Sequence, residues 1–305
     1  MVEIAPHITA IDMHVHLSDE RARRARPGRA AQMSQYFGRD RTVVPVDEMA
    51  DMYRSRNMMA VIMNSTDVTV SGQVGLPNDY VAEVVAAHPD VFVGFGVVDP
   101  AQGRLAEQEV RRCKELGLVG IGELNAARQR FLPHDTRFYP LWQVASDLGM
   151  PVLFHGGYAA AGSGTPGGGG TKLRYARPAY LDDVAADFPD LTIICAHPSW
   201  PWHAEALAAA MHKANLFMDI SGWGLRYLPD EVRHYINSRI PTKVLFGTDW
   251  PGLDLDRTLE DFQALQLKPD VARRVLLENA RELLTAHPGG AGTTPERRAE
   301  EGTDR

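Results

Sequence analysis

The stretch ITAIDMHVHL, residues 8–17, decides the fold of this chain. It is an apolar, β-branched run that ends in two histidines, and such a run predicts a strand covered on both faces. Seven further stretches have the same form and are separated by helix-like segments. They are MMAVIMNS (58–65), VFVGFGVVD (91–99), LVGIGELN (118–125), MPVLFHGG (150–157), LTIICAHP (191–198), NLFMDIS (215–221) and KVLFGTDW (243–250).

Eight strands in alternation with helices predict an α/β fold, a (β/α)8 TIM barrel that forms a single domain over residues 1–286. A doubly wound open sheet is the alternative, but a closed barrel uses all eight predicted strands. Two connections, 18–44 after strand 1 and 157–177 after strand 5, are too long for simple turns and are predicted insertions. Residues 287–305 contain no large apolar residue and are predicted to be a polar C-terminal tail.

The composition excludes several classes of function. Among 305 residues, 32 are Lys or Arg and 39 are Asp or Glu, and this net negative charge argues against a general nucleic-acid binder. No apolar run approaches the roughly 20 residues of a membrane helix. The two cysteines, Cys113 and Cys195, lie in apolar or helix-like stretches and are expected to be reduced. With no signal peptide in the N-terminal stretch, we expect a cytoplasmic protein that acts on a small molecule, not on nucleic acid or membrane.

Ionisable side chains end almost every predicted strand, and this position indicates a metal site. A parallel barrel brings all the C-terminal strand ends to one face, where His14, His16, His155 and Asp249 would meet. His14 and His16 are two residues apart on a strand, so both should point to the same face, with Asp12 one layer deeper. Imidazoles with a carboxylate suit one divalent metal ion; we expect zinc, with manganese or another ion as the alternative.

Four motifs, DMHVH (12–16), FHGG (154–157), AHPSWPW (196–202) and FGTDWP (246–251), resemble signatures of the amidohydrolase superfamily. The most similar branch is the amidohydrolase-2 group, which includes aminocarboxymuconate-semialdehyde decarboxylase and resorcylate-type decarboxylases. The resemblance implies one metal held by the two histidines of DMHVH, by His155 and by Asp249, with His197 as an assisting catalytic residue.

The resemblance leaves further points open. Glu123 ends strand 4, where some members of the superfamily bind a second metal; it and Asp12 are expected to serve a second metal or to hydrogen-bond the ligands. The resemblance also implies a dimer or a larger homo-oligomer.

Residues of the long insertion after strand 5 and of later loops are candidates for substrate binding. Lys172, Arg174 and Arg177 either hold an anionic group or are solvated charges, and Trp200 and Trp223 are expected to line the pocket.

Three functions are compatible with this site. The first expectation is a metal-dependent hydrolase, in which a metal-activated water attacks an ester, lactone, amide or activated C–C bond. Its substrate would be an aromatic catabolite or a β-ketoacyl-CoA, and Asp249 would accept the proton of the water. The alternative is a non-oxidative, metal-dependent decarboxylase of an aromatic or semialdehyde acid. The third is an inactive barrel that only binds, against which the intact His197 and Asp249 argue.

Overall fold

A computed structural model describes residues 2–25, 27–38 and 43–286. Its eight strands are all parallel and lie in sequential order around the sheet, each within the stretch predicted for it, and the predicted (β/α)8 barrel is therefore confirmed. The strands are β1 (Ala10–His16), β2 (Met58–Met63), β3 (Phe92–Gly96), β4 (Gly120–Leu124), β5 (Val152–His155), β6 (Ile193–Ala196), β7 (Leu216–Asp219) and β8 (Val244–Leu245).

The barrel closes through the segment that follows β8 rather than through β8 itself. The amide of Met13 donates to Phe246 O at 2.9 Å, and the amide of His16 donates to Trp250 O at 2.8 Å. In return, the amide of Asp249 donates to His14 O at 2.8 Å. The backbone that carries Asp249 is therefore hydrogen-bonded directly to the backbone that carries the two histidines of β1.

Helices surround the barrel, and short helices occupy both long insertions. The helices are α1 (Glu20–Ala25), α2 (Pro27–Phe37), α3 (Val46–Arg54), α4 (Val68–Ser71), α5 (Asn78–Ala87), α6 (Arg104–Glu115), α7 (Ala126–Gln129), α8 (Tyr139–Asp147), α9 (Ala179–Asp187), α10 (His203–His212), α11 (Asp230–Ile236), α12 (Leu255–Ala264), α13 (Pro269–Arg273) and α14 (Asn279–Thr285), with a π-helical turn at Arg274–Glu278. Single turns of 3-10 helix lie at Pro100–Gln102, Thr136–Phe138, Pro166–Gly170, Leu173–Ala176 and Leu225–Tyr227. Across the described ranges, no helix has both the length and the apolar character needed to cross a membrane. The predicted tail, 287–305, lies outside the described residues.

The core has two layers, because the barrel strands are covered on both faces. Ile11, Met13 and Phe95 belong to the cluster that fills the barrel interior, whereas Tyr53 of α3 belongs to the larger cluster between strands and helices. The two buried cysteines are free thiols in the outer cluster, as their apolar surroundings in the sequence predicted.

The register between β1 and β2 shifts between Asp12 and Val15, so that Met13 and His14 together stand opposite a single residue of β2. Such an extra residue changes which face of the sheet the neighbouring side chains occupy. Asp12 accordingly accepts a 2.9 Å hydrogen bond from the hydroxyl of Tyr53, in the helix layer. The regular alternation predicted for residues 12, 14 and 16 is therefore wrong for Asp12.

Candidate metal centre

Buried histidines and carboxylates from six of the strands converge at the C-terminal end of the barrel. Their donor atoms form three overlapping groups, within each of which all the atoms lie within 4.8 Å of one another. The groups are His14, His16 and Asp249; Glu123, His155 and His197; and His14, His197 and Asp219. The first holds three of the four ligands expected from the sequence, and His155 lies in the second, beside Glu123.

His14 and His16 each use one ring nitrogen for a hydrogen bond and leave the other without a partner. Nδ1 of His14 lies 3.2 Å from Asp219 Oδ2, and Nδ1 of His16 lies 3.2 Å from the carbonyl oxygen of Met63. Both partners accept, so in the neutral imidazoles the protons lie on Nδ1 and the Nε2 atoms carry lone pairs. Both Nε2 atoms are buried and lack a hydrogen-bond partner. Two buried nitrogen lone pairs beside the Asp249 carboxylate are the donor set that a divalent cation requires.

Asp249 stands opposite these two nitrogens. Its Oδ1 lies 3.3 Å from Nε2 of His16 and 4.0 Å from Nε2 of His14. Burial would raise the pKa of Asp249, but the contact with His16 and the other nearby histidines lower it to about 2. The carboxylate is therefore ionised at neutral pH, the form in which it can bind a cation.

Glu123 connects the first group to the second. Its Oε1 lies 2.6 Å from Nδ1 of His155 and 3.6 Å from Nε2 of His197, and its Oε2 lies 3.6 Å from Nε2 of His16. Nε2 of His155 lies 3.1 Å from the carbonyl oxygen of Tyr158. Burial would raise the pKa of Glu123, but hydrogen bonds from His155 and His197 hold it well below its usual value.

Both ring nitrogens of His197 lie close to polar atoms of other residues. Its Nδ1 lies 3.1 Å from the carbonyl oxygen of Ser221 and 3.0 Å from the Ser221 hydroxyl, and its Nε2 lies 3.0 Å from Nδ1 of His155. Burial would lower the pKa of His197, but the Glu123 carboxylate raises it above its ordinary value. An imidazolium at this position carries one proton toward Ser221 and a second on Nε2, the nitrogen on the side of His155 and Glu123.

The backbone at two of these residues is unusual. His197 has φ +68° and Asp249 has φ +62°, in the left-handed region that side chains with a Cβ seldom occupy. His197 lies immediately after β6, and Asp249 lies four residues after β8. Strained backbone of this kind clusters at functional sites. His and Asp occupy this region more often than most residues with a Cβ, but residue type alone did not predict it at these two positions.

Asp219, the last residue of β7, and Ser221, two residues beyond it, are the residues whose roles the sequence did not reveal. Asp219 Oδ1 accepts from the Ser221 hydroxyl at 2.5 Å and from the backbone amides of Ser221 at 2.9 Å and His197 at 3.0 Å. Only the positions of Asp219 and Ser221 at a strand end indicated a role in the site. Their other partners, His14 and His197, are distant in sequence.

Asp12 is absent from all three groups of potential ligands among the described residues. Besides Tyr53, its oxygens accept from the amide and hydroxyl of Thr248 at 2.9 and 2.6 Å and from the amide of His14 at 3.2 Å. Asp12 is thus hydrogen-bonded to the backbone of His14 and to the backbone of Thr248, the residue before Asp249. Burial outweighs these hydrogen bonds and raises the pKa of Asp12 to about 6.

Aromatic side chains from three successive loops lie next to one another beyond the ionisable cluster. Trp200 and Trp223 stack with ring centroids 6.0 Å apart, and Tyr158 meets Trp200 edge-on at 6.0 Å. These three residues are called the aromatic wall below. Trp200 is 46 % exposed, which is high for a tryptophan and leaves apolar surface for a ligand.

The three basic residues expected to bind substrate differ in their surroundings. Arg177 forms an ion pair with Glu205, and its guanidinium lies 5.8 Å from the ring of Trp202. Arg174 and Lys172 both lie over the ring of Tyr175, at 5.1 and 5.9 Å. The Arg177 charge is thus already compensated within the protein.

Comparison with known proteins now identifies the family. A model of a protein family described as amidohydrolase matches residues 11–285. The chain belongs to the amidohydrolase superfamily. It lies in the amidohydrolase-2 branch, as the resemblance of its motifs predicted, and it is an enzyme of that superfamily.

One curated relative of this amidohydrolase is the gamma-resorcylate decarboxylase of Polaromonas sp. strain JS666. The two are 25 % identical over 285 residues, which cover 80 % of this chain and 86 % of the relative. Among solved structures, an uncharacterized TIM-barrel protein from Bordetella bronchiseptica is 27 % identical with a TM-score of 0.74, covering 90 % of this chain and 98 % of the other. A dihydroxybenzoic acid decarboxylase from Polaromonas sp. JS666, with bound manganese and 2-nitroresorcinol, is 18 % identical with a TM-score of 0.65, covering 91 % and 97 %.

These comparisons correct the function expected first. A hydrolase was expected from the metal-site motif, but the curated relative that covers most of the chain is a decarboxylase, and the hydrolase assignment is wrong. The physical reason is that residues suited to binding a metal ion do not by themselves determine which substrate bond breaks. The outcome depends on which substrate atoms the pocket places beside the ion and beside the proton donor.

Proposed function

We propose that this protein is a metal-dependent, non-oxidative decarboxylase of an aromatic acid. The observation that carries the proposal is the position of His197, whose imidazole lies within the cluster of metal-type donors and 3.6 Å from the Glu123 carboxylate. A decarboxylase of this type must hold a carboxylate and protonate the carbon from which carbon dioxide leaves. Membership of the family and the similarity to a resorcylate decarboxylase support the assignment.

His14, His16 and Asp249 would hold one divalent ion, and His155 would complete the set from the adjoining group. Manganese and zinc are both candidates: imidazole suits zinc, the carboxylate suits either ion, and a structure of similar fold contains manganese. When bound, the ion supplies positive charge that holds the substrate carboxylate and a neighbouring oxygen.

The protein's own groups then account for the proton transfer. The imidazolium of His197 donates its Nε2 proton to the ring carbon that carries the carboxylate, and a C–H bond forms from a pair of ring π electrons. The bond from that carbon to the carboxylate then breaks, its electron pair restores the ring, and carbon dioxide leaves. Overall, the aromatic carboxylate and one proton become the arene and carbon dioxide. Glu123 favours the charged form of His197 before the transfer, and Ser221 holds the ring in orientation.

The aromatic wall provides a surface for a planar substrate. Offset or edge-on contact between aromatic rings contributes about 0.5–1.5 kcal/mol beyond the burial of area. A flat hydroxybenzoate would lie against Trp200 or Trp223, with its carboxylate toward the metal ligands. Lys172 and Arg174, which lie in the loop after β5, are the candidates for attracting the anionic substrate.

Decarboxylation in D2O tests the proposal. The metal-replete protein is incubated with 2,6-dihydroxybenzoate and a panel of other hydroxybenzoates. The expected result is release of one carbon dioxide per product, with deuterium at the vacated ring carbon. The variant His197→Asn should keep its metal and lose about 10²–10⁴-fold in kcat. Failure of the metal-replete protein to release carbon dioxide from any member of the panel would overturn the proposal.

A further inference from the structure

The two carboxylate oxygens of Asp219 accept hydrogen bonds from different partners. Oδ1 accepts two backbone N–H groups, from His197 and Ser221, and the Ser221 hydroxyl. Oδ2 accepts from Nδ1 of His14 at 3.2 Å. Asp219 and the His14 side chain are fully buried, so no bulk solvent reaches these groups. Backbone N–H groups can only donate, and the place of Oδ1 must therefore always be filled by an acceptor.

We propose that Asp219 is a positioning residue that fixes the tautomer of His14, holding the proton on Nδ1 so that Nε2 presents its lone pair to the metal. The inference rests on the proposed metal-dependent function and goes beyond the ligand set. His14 differs in this respect from His16, whose Nδ1 faces a backbone carbonyl of Met63 that no substitution can alter. Of these two ligands, only His14 depends on a side chain for its tautomer.

The arrangement makes the substitution Asp219→Asn unusually informative. The asparagine oxygen must take the place of Oδ1, since the amide NH2 there would face two backbone N–H donors. The NH2 group must then face Nδ1 of His14, where it can only donate. Nδ1 must accept, the proton moves to Nε2, and the lone pair that would bind the metal is lost. A nearly isosteric change thus places the ligand in the wrong tautomer.

The substitution Asp219→Ala has a different consequence. It leaves a small polar cavity in which a water molecule can accept from Nδ1, so that the correct tautomer remains accessible. Alanine removes every hydrogen bond of the carboxylate and should therefore destabilise the fold more than asparagine does. The proposal therefore ranks the two variants differently for stability and for metal affinity. Asp219→Asn should be the more stable variant, but Asp219→Ala should bind metal more tightly.

The experiment measures dissociation constants for zinc and for manganese, each with the metal alone and a competing chelator, in the full-length chain. Asp219→Asn is expected to bind about 10–100-fold more weakly than the wild type, the usual range for loss of a partner to a ligand histidine. Ser221→Ala is the matched control, because it removes one donor to Asp219 and leaves the bond to His14 intact. It should bind either metal within about threefold of the wild type.

Two outcomes would overturn the inference: Asp219→Asn binding metal as tightly as Asp219→Ala, or Ser221→Ala losing as much affinity as Asp219→Asn. A second measurement does not depend on metal. Long-range proton–nitrogen NMR of the metal-free protein, at a pH at which His14 is neutral, should show its proton on Nδ1 in the wild type and on Nε2 in Asp219→Asn. If the tautomer moves as expected but no hydroxybenzoate is decarboxylated, the proposed function fails and this inference stands.

Discussion

A carboxylate oxygen of Glu123 lies 2.6 Å from a ring nitrogen of His155. Among the described residues of the metal centre, no two ionisable side chains are closer. The same carboxylate faces His16 on one side and His197 on the other, each at 3.6 Å. Glu123 therefore lies between His16 of the first group and His197. We propose that its negative charge serves to keep His197 protonated.

The substitution Glu123→Gln tests that function. Glutamine keeps the shape and an accepting oxygen but removes the charge that raises the pKa of His197. The donor must be protonated, so activity falls as the pH rises through its pKa. Without the charge, the fall in activity at high pH should begin at a lower pH. As a result, kcat at pH 7 should fall about 10–100-fold. Rates of carbon dioxide release from pH 5 to 9 measure both effects. An unshifted profile with full metal content would contradict the assignment.

Metal binding should depend on pH through His14. Burial would lower the pKa of His14, but the hydrogen bond and charge of Asp219, with the charges of Asp249 and Glu123, raise it to about 9. A metal must displace the proton of this imidazolium, so the affinity for zinc should rise with pH up to about 9 and then level off. Calorimetry in two buffers that differ in their ionisation enthalpies counts the protons released. Zinc binding with no proton release at pH 7 would contradict this assignment.

Substitutions in the aromatic wall should weaken substrate binding more than they slow the chemical step. Trp200→Leu and Trp223→Leu remove stacking surface without touching a ligand or His197, so each should raise KM for a hydroxybenzoate about 3–10-fold, corresponding to the loss of one aromatic contact. The kcat should change less than KM. Trp202→Leu is the control, because Trp202 contacts Arg177 and is the residue before α10. An equal rise in KM for Trp202→Leu would show that the effect is not specific to the wall.

The contact between Tyr53 and Asp12 should matter for stability. Tyr53→Phe leaves a buried carboxyl with one donor fewer, and such a loss costs about 1–3 kcal/mol. The folded-state pKa of Asp12, about 6, is raised, so its ionisation opposes folding as the pH rises from 4 to 6. The substitution should therefore cost less at pH 5, where the carboxyl is largely protonated, than at pH 8. Urea unfolding at the two pH values measures the difference, and equal costs would contradict it.

The sequence predicted the barrel because the strand signal is local and repeated. Each of the eight apolar runs contains one observed strand, and the rule that parallel strands end on one face brings His14 and Asp249 together across 235 residues of chain. This part of the site follows from topology alone. The substrate-side insertions carry no comparable pattern, and their helices were not predicted.

What the sequence could not predict depends on single hydrogen bonds and local backbone geometry. The register shift in β1 turns Asp12 toward Tyr53, and no residue type in DMHVH signals it. The contact of Asp219 with His14 joins residues 205 positions apart. The ion pair of Arg177 with Glu205 likewise forms only once the loop after β5 packs on α10. Reaction type was beyond reach for another reason: the same ligands serve hydrolysis and decarboxylation.

Gly222 should control the position of His197. Its φ is +67°, and a Cβ added there would lie 2.5 Å from Nδ1 of His197 and 3.2 Å from Oδ2 of Asp249. Alanine at this position is strained in the backbone by about 1–2 kcal/mol, and it must also displace the imidazole. Displacement of a proton donor by about 1 Å can cost on the order of 100-fold in rate. Gly222→Ala should therefore lower kcat strongly while the protein still binds metal.

Gly72→Ala separates displacement from strain. Gly72 has φ +70°, almost the same backbone conformation, but a Cβ there meets nothing within 4 Å. Its variant should lose a similar amount of stability from backbone strain and keep the wild-type kcat. Thermal unfolding and carbon dioxide release are measured on both variants. If the two lose activity in equal proportion, the loss comes from strain, and close packing of Gly222 against His197 has no part in catalysis.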